Sequence, residues 1–360
     1  MSKEIFLMKG NEAIAHAAIR YGVDGYFGYP ITPQSEIMET LMSEAPWKTT
    51  GMVVLQAESE TASINMVYGG AGCGKAVMTS SSSPGMSLMM EGVSYIAAGE
   101  LPCLLVNVMR GGPGLGTIQP SQADYFQAVK GGGHGDYKLI TLAPASVQEM
   151  ADFVTLGFDL AFKYQTPAMI LTDGVIGQMM EKVTLSPYKR RRTDAEIREQ
   201  CPWATLGKPK GNKPNVITTL ELDSHKMEII NLRLQAKYKK IEKEVCLYQE
   251  VNCEDADYIL VAFGSAARIC QKAVELSRSK GIKVGLIRPI TLWPFPSDIL
   301  NQYASKTKGM LTVEMNAGQM VEDVRLAVNG KVKVEHFGRL GGIVPTPSEV
   351  VDALEIKFGL

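Results

Sequence analysis

The sequence has no Cys-x-x-Cys pair. Its six cysteines, Cys73, Cys103, Cys201, Cys246, Cys253 and Cys270, stand apart, which argues against a zinc ribbon or an iron–sulfur cluster carried by this chain. In a reducing compartment they read as small buried hydrophobes. Net charge is nearly absent as well. The 37 basic and 38 acidic residues leave −1, so no global field favours nucleic acid or an anionic membrane. No apolar run reaches the roughly 18 residues needed to span a bilayer. The opening stretch "MSKEIFLMKGNEA" lacks the apolar core of a signal peptide, which predicts a cytoplasmic chain. A phosphate loop is missing too. "GGAGCGK", residues 69–75, matches GxxxxGK, but Ala76 stands where Ser or Thr would hold magnesium. Its glycines end a predicted helix and precede a strand, so the helix would turn its negative end towards any phosphate.

What is present is ordinary in bulk and specific in detail. The chain has 360 residues, 45% hydrophobic and 21% charged, as expected for a globular protein of two domains. Apolar strand runs alternate with helical patterns up to about residue 184. "NEAIAHAAIRYG" carries a helical stripe that Asn11 can cap and Gly22 can end. "GYFGY", "MVVLQ", "KAVMTSS", "PCLLVNVM", "KLITLAP" and "PAMILTD" read as buried strands. Helices between strands imply a parallel sheet covered on both faces. Residues 185–245 change texture. "YKRRRTDAEIREQ" and "GKPKGNKPN" are polar, and "HKMEIINLRLQAKYKKIEKE" is an amphipathic helix, so the segment reads as a surface linker. Its run Lys189–Arg192 reads as a solvated face. A second, smaller alternating unit fills residues 246–360, with no clear repeat of the first. The predicted fold class is α/β.

Candidate site residues gather where strands of the first unit end. Ligands of open parallel sheets bind at that rim. In "GYPITPQSE", residues 28–36, two prolines bracket Thr32, and a helix is predicted to start at Pro33 with Thr32 as its cap. A capped helix N-terminus is itself an anion site, so capping and substrate contact are compatible. In "QAESETAS", Glu58 and Glu60 open a helix rich in small residues. Dipole compensation suits both acids, but they diverge by about 200° on a helix, so only one can face the rim. Arg110 leaves a buried strand into "GGPGLG", which suits a planar fork binding a small carboxylate, with an ion pair as the plainer alternative. His134 lies in "GGGHGDY", a lid or a plain turn.

Together, "YPITPQSE", "ESETA", "SSSPGMSLMMEG" and "RGGPG", with "VEMNAGQMVEDVR" and "GRLGGIVPTPSEV" near the C-terminus, resemble the α-type subunit of 2-oxoacid:ferredoxin oxidoreductases. The likeness covers nearly the whole chain. It is greatest to the branched-chain (2-oxoisovalerate) type, with the 2-oxoglutarate type next. The resemblance implies a thiamine-diphosphate pyrimidine-binding domain over residues 1–184, the linker over 185–245, and a smaller transketolase C-terminal-like domain over 246–360. It implies oxidative decarboxylation of a branched-chain 2-oxoacid, 3-methyl-2-oxobutanoate, to an acyl-coenzyme A, with electrons passed to ferredoxin. Matching "SETA" selects Glu60 over Glu58 as the acid that hydrogen-bonds the cofactor's aminopyrimidine. Pro30, Ile31 and Ser83 are implied cofactor contacts, and Thr32 and Arg110 substrate contacts. A β subunit is expected to carry the diphosphate- and Mg²⁺-binding domain. Accompanying γ and ferredoxin-like δ subunits, or fusions, are expected to carry iron–sulfur clusters. The chain agrees by omission, having no GDG with a downstream Asn pair and no cysteine cluster. "GPGLGTIQPSQAD" departs from relatives in its polar residues, so 2-oxoglutarate, pyruvate, indolepyruvate and sulfopyruvate remain rival substrates. A noncatalytic scaffold subunit is the rival from another class.

Overall fold

Strand runs of β-branched and aliphatic residues, each followed by a helix, organise the chain from its first turn. The computed structural model describes residues 4–208, 211 and 213–360. Its first part runs β1 (Ile5–Lys9), α1 (Gly10–Tyr21), β2 (Gly25–Gly28), α2 (Ser35–Glu44), β3 (Val53–Gln56), α3 (Glu60–Gly72), β4 (Val77–Ser81), α4 (Ser83–Ala98), β5 (Leu104–Met109), α5 (Tyr125–Val129), β6 (Ile140–Leu142), α6 (Val147–Tyr164), β7 (Ala168–Asp173), α7 (Gly174–Gln178) and β8 (Met180–Thr184). The polar segment that follows holds α8 (Asp194–Gln200) and α9 (Ser224–Glu244). The last part runs β9 (Tyr248–Val251), β10 (Tyr258–Val261), α10 (Gly264–Ser279), β11 (Val284–Pro289), β12 (Thr291–Trp293), α11 (Ser297–Ala304), β13 (Gly309–Glu314), α12 (Met320–Val328), β14 (Val334–Gly338) and α13 (Pro347–Phe358).

The larger sheet has seven strands in the order β12-β6-β7-β5-β4-β2-β3. It is parallel except at β12, which pairs antiparallel with β6 and so brings a strand of the last part into the first sheet. A second, five-stranded sheet, β14-β13-β10-β11-β9, is parallel except at β9. In the larger sheet β5 pairs with β7 from Leu104↔Ala168 to Met109↔Asp173. Arg110 therefore leaves the sheet beside the end of β7. The α/β fold with parallel sheets predicted from the alternating pattern is what the chain adopts. Four strands were not foreseen: β1 and β8, which form a separate antiparallel ribbon, and β9 and β12.

Small residues let the layers close tightly. A Cβ at Gly92 of α4 would come within 2.6 Å of Ile64 of α3, so the glycine lets the two helices pack side by side. Met86 and Met89 of α4 are fully buried, which assigns them to the internal core, whereas Met66 and Leu88 on neighbouring turns are exposed. Four cysteines, Cys103, Cys201, Cys253 and Cys270, are buried as small hydrophobes, and Cys73 and Cys246 are half-buried.

Three expectations need correction. The strand "MVVLQ" is not buried: β3 is the edge of its sheet, with Val53 48% and Leu55 40% exposed. Apolar content alone does not distinguish an edge from a centre. The run Lys189–Arg192 is not simply a solvated face. Arg191 donates to the buried carboxylate of Asp24 at 2.9 Å, Arg192 donates to the Gly74 carbonyl at 2.7 Å, and Lys189 N–H donates to the Arg20 carbonyl. The basic run thus ties the polar segment to the lower edge of the larger sheet. Finally, Asn11 does not cap α1. Lys9 occupies the cap position, and Asn11 lies inside the first turn. Gly22 does end that helix, in the left-handed region at φ 86°. The stretch "GKPKGNKPN" lies partly outside the described residues.

Candidate active site

The turn after β2 is held from below by buried polar groups. The Tyr26 hydroxyl lies 2.7 Å from Ser80 Oγ, which donates to Gln34 Oε1 at 2.6 Å. Gln34 Nε2 in turn donates to the Tyr29 carbonyl at 3.0 Å. Asn11 Nδ2 donates to the Pro33 carbonyl at 2.7 Å and to Glu36 at 3.0 Å. Here a further expectation is corrected: α2 begins at Ser35, with Gln34 as its cap residue, so Thr32 is not the helix cap and Pro33 is not its first residue. The Thr32–Pro33 peptide is cis, and the chain needs two further residues before it can enter the helix. Thr32 and Pro30 are exposed on this turn and Ile31 is half-buried. The Thr32 hydroxyl is therefore free of the capping role and open to the rim.

Glu60 and Glu58 part as their spacing requires. Glu58 is exposed, whereas Glu60 is 6% exposed at the first position of α3, behind a Ser59 cap that accepts from the Ala62 N–H at 3.2 Å. Glu60 lies against the first turn of α4. A Cβ at Gly85 would be 2.5 Å from Glu60 Oε1 and would overlap Ser81 Oγ. Glu60 makes no side-chain hydrogen bond among the described residues, and the fully buried Ser81 hydroxyl beside it has no partner. A buried hydroxyl left without a partner is costly unless something satisfies it. A flat ring presenting a nitrogen acceptor or donor there would do so. These groups fit the aminopyrimidine of thiamine diphosphate.

Arg110 approaches the same junction from the other side. Its Nη1 donates to the Thr32 carbonyl at 3.0 Å and its Nη2 to the Leu115 carbonyl at 3.1 Å, while the buried Nε has no partner. The guanidinium is thus oriented by carbonyls and not neutralised by them, so it keeps its charge for an anion. Ser83 fixes the backbone beneath it. The Arg110 N–H donates to Ser83 Oγ at 3.0 Å, and that hydroxyl donates to Asp124 at 2.6 Å. Asn107 Nδ2 also donates to Asp124, at 2.9 Å. Burial pushes the Asp124 carboxyl above its ordinary value, and the bonds from Ser83 and Asn107 act against that rise.

The last part of the chain braces this loop. Gln122 is fully buried. Its Nε2 donates to the Phe263 carbonyl at 2.9 Å and its Oε1 accepts from the Met315 N–H at 3.2 Å. Asn316 Nδ2 donates to the Gln122 carbonyl at 2.8 Å. Glu314 accepts from the N–H groups of Met320 and Val321 at 2.8 and 3.0 Å, capping α12, and burial raises its carboxyl. The motif "VEMNAGQM" therefore caps a helix and grips the Arg110 loop. Gln122, Asp124 and Asn107 were not singled out in the sequence. Asn107 had a readable signal, because a polar residue inside "LLVNVM" must find a buried partner.

His134 is placed elsewhere. It lies edge-on to Tyr95, with ring centroids 6.1 Å apart, near the far end of α4. Tyr95 is twelve residues beyond the helix start at Ser83, or roughly 18 Å along the axis. Among the described residues no three His, Cys, Asp or Glu side chains converge to hold a metal ion. No described helix is long and apolar enough to cross a membrane.

Comparison with known proteins fits this arrangement. Residues 16–248 match the family described as pyruvate flavodoxin/ferredoxin oxidoreductase, thiamine diP-bdg, and residues 256–350 match pyruvate:ferredoxin oxidoreductase core domain II. The chain belongs to the 2-oxoacid:ferredoxin oxidoreductases. Among relatives of this family, ketoisovalerate oxidoreductase subunit VorB of Methanothermobacter thermautotrophicus is 47% identical over 98% of each chain. The 2-oxoglutarate synthase subunit KorA of Methanothermobacter marburgensis is 34% identical over 98% of this chain and 99% of that protein. Among solved structures, 2-oxoglutarate:ferredoxin oxidoreductase from Magnetococcus marinus, with 2-oxoglutarate, coenzyme A and succinyl-CoA bound, superposes with a TM-score of 0.85 at 26% identity. The match covers 99% of this chain and 66% of that longer one. A split-gene transketolase (TM-score 0.60, 13% identity) shares the fold. Like its relatives, this 2-oxoacid:ferredoxin oxidoreductase chain is a subunit of an enzyme complex.

Proposed function

We propose that this subunit supplies the pyrimidine-facing side of a thiamine-diphosphate site and the carboxylate-binding arginine in an enzyme that oxidatively decarboxylates 3-methyl-2-oxobutanoate. The carrying observation is Glu60, 6% exposed against Gly85 and beside the buried, unpartnered Ser81 hydroxyl. The branched-chain substrate is favoured by the 47% identity to a ketoisovalerate oxidoreductase subunit. Residues 1–184 act as the pyrimidine-binding domain, 185–245 as the linker, and 246–360 as the transketolase C-terminal-like domain.

In this reading Glu60 holds a proton at N1′ of the aminopyrimidine, and Pro30 and Ile31 line that ring's side of the turn. Ser83 starts α4 against the cofactor while fixing the Arg110 backbone. Arg110 pairs with the substrate carboxylate, and the Thr32 hydroxyl donates to its oxo or carboxylate oxygen. When bound, thiamine diphosphate supplies the carbanion that adds to the oxo carbon and takes up the electron pair released with CO₂. A β subunit holds the diphosphate and Mg²⁺. Iron–sulfur clusters expected on γ and ferredoxin-like δ subunits, or fusions, would supply the electron path to ferredoxin, coenzyme A would take the acyl group, and the complex works in the cytoplasm.

Glu60→Gln in the reconstituted complex tests the assignment. It is expected to lower 2-oxoacid-dependent ferredoxin reduction by about 10²–10³-fold, as loss of a positioned proton-holding group does. Thiamine diphosphate should still bind, read by calorimetry or circular dichroism. Full turnover of the variant removes Glu60 from the chemistry and favours a scaffold role. The 2-oxoglutarate reading, supported by KorA relatives at 34–35% identity, is separated by product analysis with a panel of 2-oxoacids.

A further inference from the structure

The loop after Arg110 holds two large aliphatic side chains out of the protein, Leu115 and Ile118, and the first of these residues offers its carbonyl to the guanidinium. Leu115 is 82% exposed. It sits between Gly114 and Gly116, both in the left-handed region at φ 68° and 57°. A Cβ at Gly116 would overlap the Gly111 carbonyl oxygen, so the loop closes too tightly for any other residue there. Thr117 N–H donates to that carbonyl at 2.8 Å and Gly111 N–H donates to the Gln119 carbonyl at 2.9 Å, which pins both ends. The Leu115 carbonyl accepts from Arg110 Nη2 at 3.1 Å. A solvated leucine held by so much backbone constraint gains nothing for the fold of this chain.

We propose that Leu115 selects an aliphatic over a charged side chain in the 2-oxoacid. The inference rests on Arg110 being the carboxylate site proposed above. From ordinary bond lengths, the Leu115 Cα lies at most about 5.5 Å from the guanidinium nitrogen that its carbonyl contacts, and the leucine methyl groups lie about 4 Å from that Cα. In a 2-oxoacid the first side-chain carbon lies about 2.5 Å from the carboxyl carbon. A carboxylate on the guanidinium can therefore place the substrate's branch within reach of the leucine methyl groups. That contact removes apolar surface from water on both partners. A terminal carboxylate in the same place would lose water and gain no partner. Leu115 thus rewards a branched aliphatic substrate and penalises a dicarboxylate.

The test uses the assembled complex with wild type, Leu115→Ala, Leu115→Met and Leu115→Lys, reading kcat/KM for 3-methyl-2-oxobutanoate, pyruvate and 2-oxoglutarate. Leu115→Ala should lower the branched-to-pyruvate ratio by about tenfold, the discrimination a small apolar contact provides. Leu115→Lys should move the ratio towards 2-oxoglutarate. Leu115→Met, which conserves volume, keeps the test decisive where the alanine variant assembles poorly. An active wild type whose variants fall equally on all three substrates overturns the inference alone and makes Leu115 a loop or interface support. A wild-type complex inert towards all three 2-oxoacids overturns the functional reading, and this inference with it.

Discussion

Arg110 is joined to Thr32 by a 3.0 Å hydrogen bond from Nη1 to the Thr32 carbonyl. Residues from two different strand ends are thereby fixed relative to each other before any ligand arrives. The bond uses the Thr32 backbone, so its hydroxyl stays available. The Gln34 and Asn11 contacts hold the turn from the opposite side.

This pairing makes Arg110 sensitive to shape as well as to charge. Arg110→Ala should raise KM for the 2-oxoacid by about 10–100-fold, the range for losing a hydrogen bond to a charged group. Arg110→Lys keeps the charge but cannot reach Thr32 and Leu115 with one planar fork. It should recover only part of the loss. Steady-state kinetics on the reconstituted complex decide the matter, and an unchanged KM in the alanine variant takes Arg110 out of the carboxylate site.

Gly85 should tolerate no side chain. An added Cβ would overlap the Ser81 hydroxyl and press on Glu60 Oε1 at 2.5 Å. Gly85→Ala must therefore displace the Ser81 hydroxyl and press the Glu60 carboxylate out of its place. The expected outcome is a loss of turnover approaching that of Glu60→Gln, with the far-ultraviolet spectrum of a folded chain. A fully active Gly85→Ala complex would show that the Glu60 position is not critical.

Much of this site could be read from residue order because strand ends in an open parallel sheet converge by topology. Thr32, Glu58, Glu60 and Arg110 each follow a strand, so naming the strands placed them on one rim, whereas Ser83 and the choice of Glu60 over Glu58 came from the family resemblance. The same reasoning failed where local and tertiary signals diverge. "MVVLQ" has the composition of a central strand but lies at an edge, because strand order depends on crossover connections that composition does not encode. Thr32 and Pro33 carry the cap and first-turn signature, yet the turn extends to Gln34, whose side chain is claimed by Ser80 and Tyr29. The opposite case is α13. "TPSE" is a capping box with proline at the first turn, and Thr346 does accept from the Glu349 N–H at 3.3 Å. That signal was local, legible and overlooked. Contacts such as Gln122 to Met315 join residues almost two hundred positions apart, and nothing short-range announces them.

Asp124 predicts a pH dependence. Burial raises its carboxyl in the folded chain, so the folded state binds the proton more tightly than the unfolded state does. The stability this contributes is complete below the ordinary carboxylate value, about 3.9, and is lost as the pH rises through the raised value. Asp124→Asn cannot ionise, and its Oδ1 can still accept from Ser83 and Asn107. The thermal midpoint of the variant complex minus that of wild type should therefore be more positive at about pH 7 than at about pH 4. A difference that grows as the pH falls would reverse the sign of the argument.

Gln122 couples the two parts of the chain, and its removal separates bracing from chemistry. Gln122→Ala leaves the Phe263 carbonyl and the Met315 N–H without their side-chain partner in a fully buried setting. Each unsatisfied group costs about 1–3 kcal/mol, so the thermal midpoint should fall by several degrees. The loop from Arg110 to Asp124 would also lose one of its anchors to the last part of the chain. Substrate affinity then suffers more than the reaction of bound substrate, because Glu60 is held by α3 and α4 and owes nothing to Gln122. The expected pattern is a raised KM with kcat retained within a few fold. Asn316→Ala removes a second bond to the same residue, so the double variant should cost less than the sum of the two, as contacts in one network do. Strict additivity of the two midpoint shifts, or a fall in kcat with KM unchanged, would mean that this network does not support the Arg110 loop.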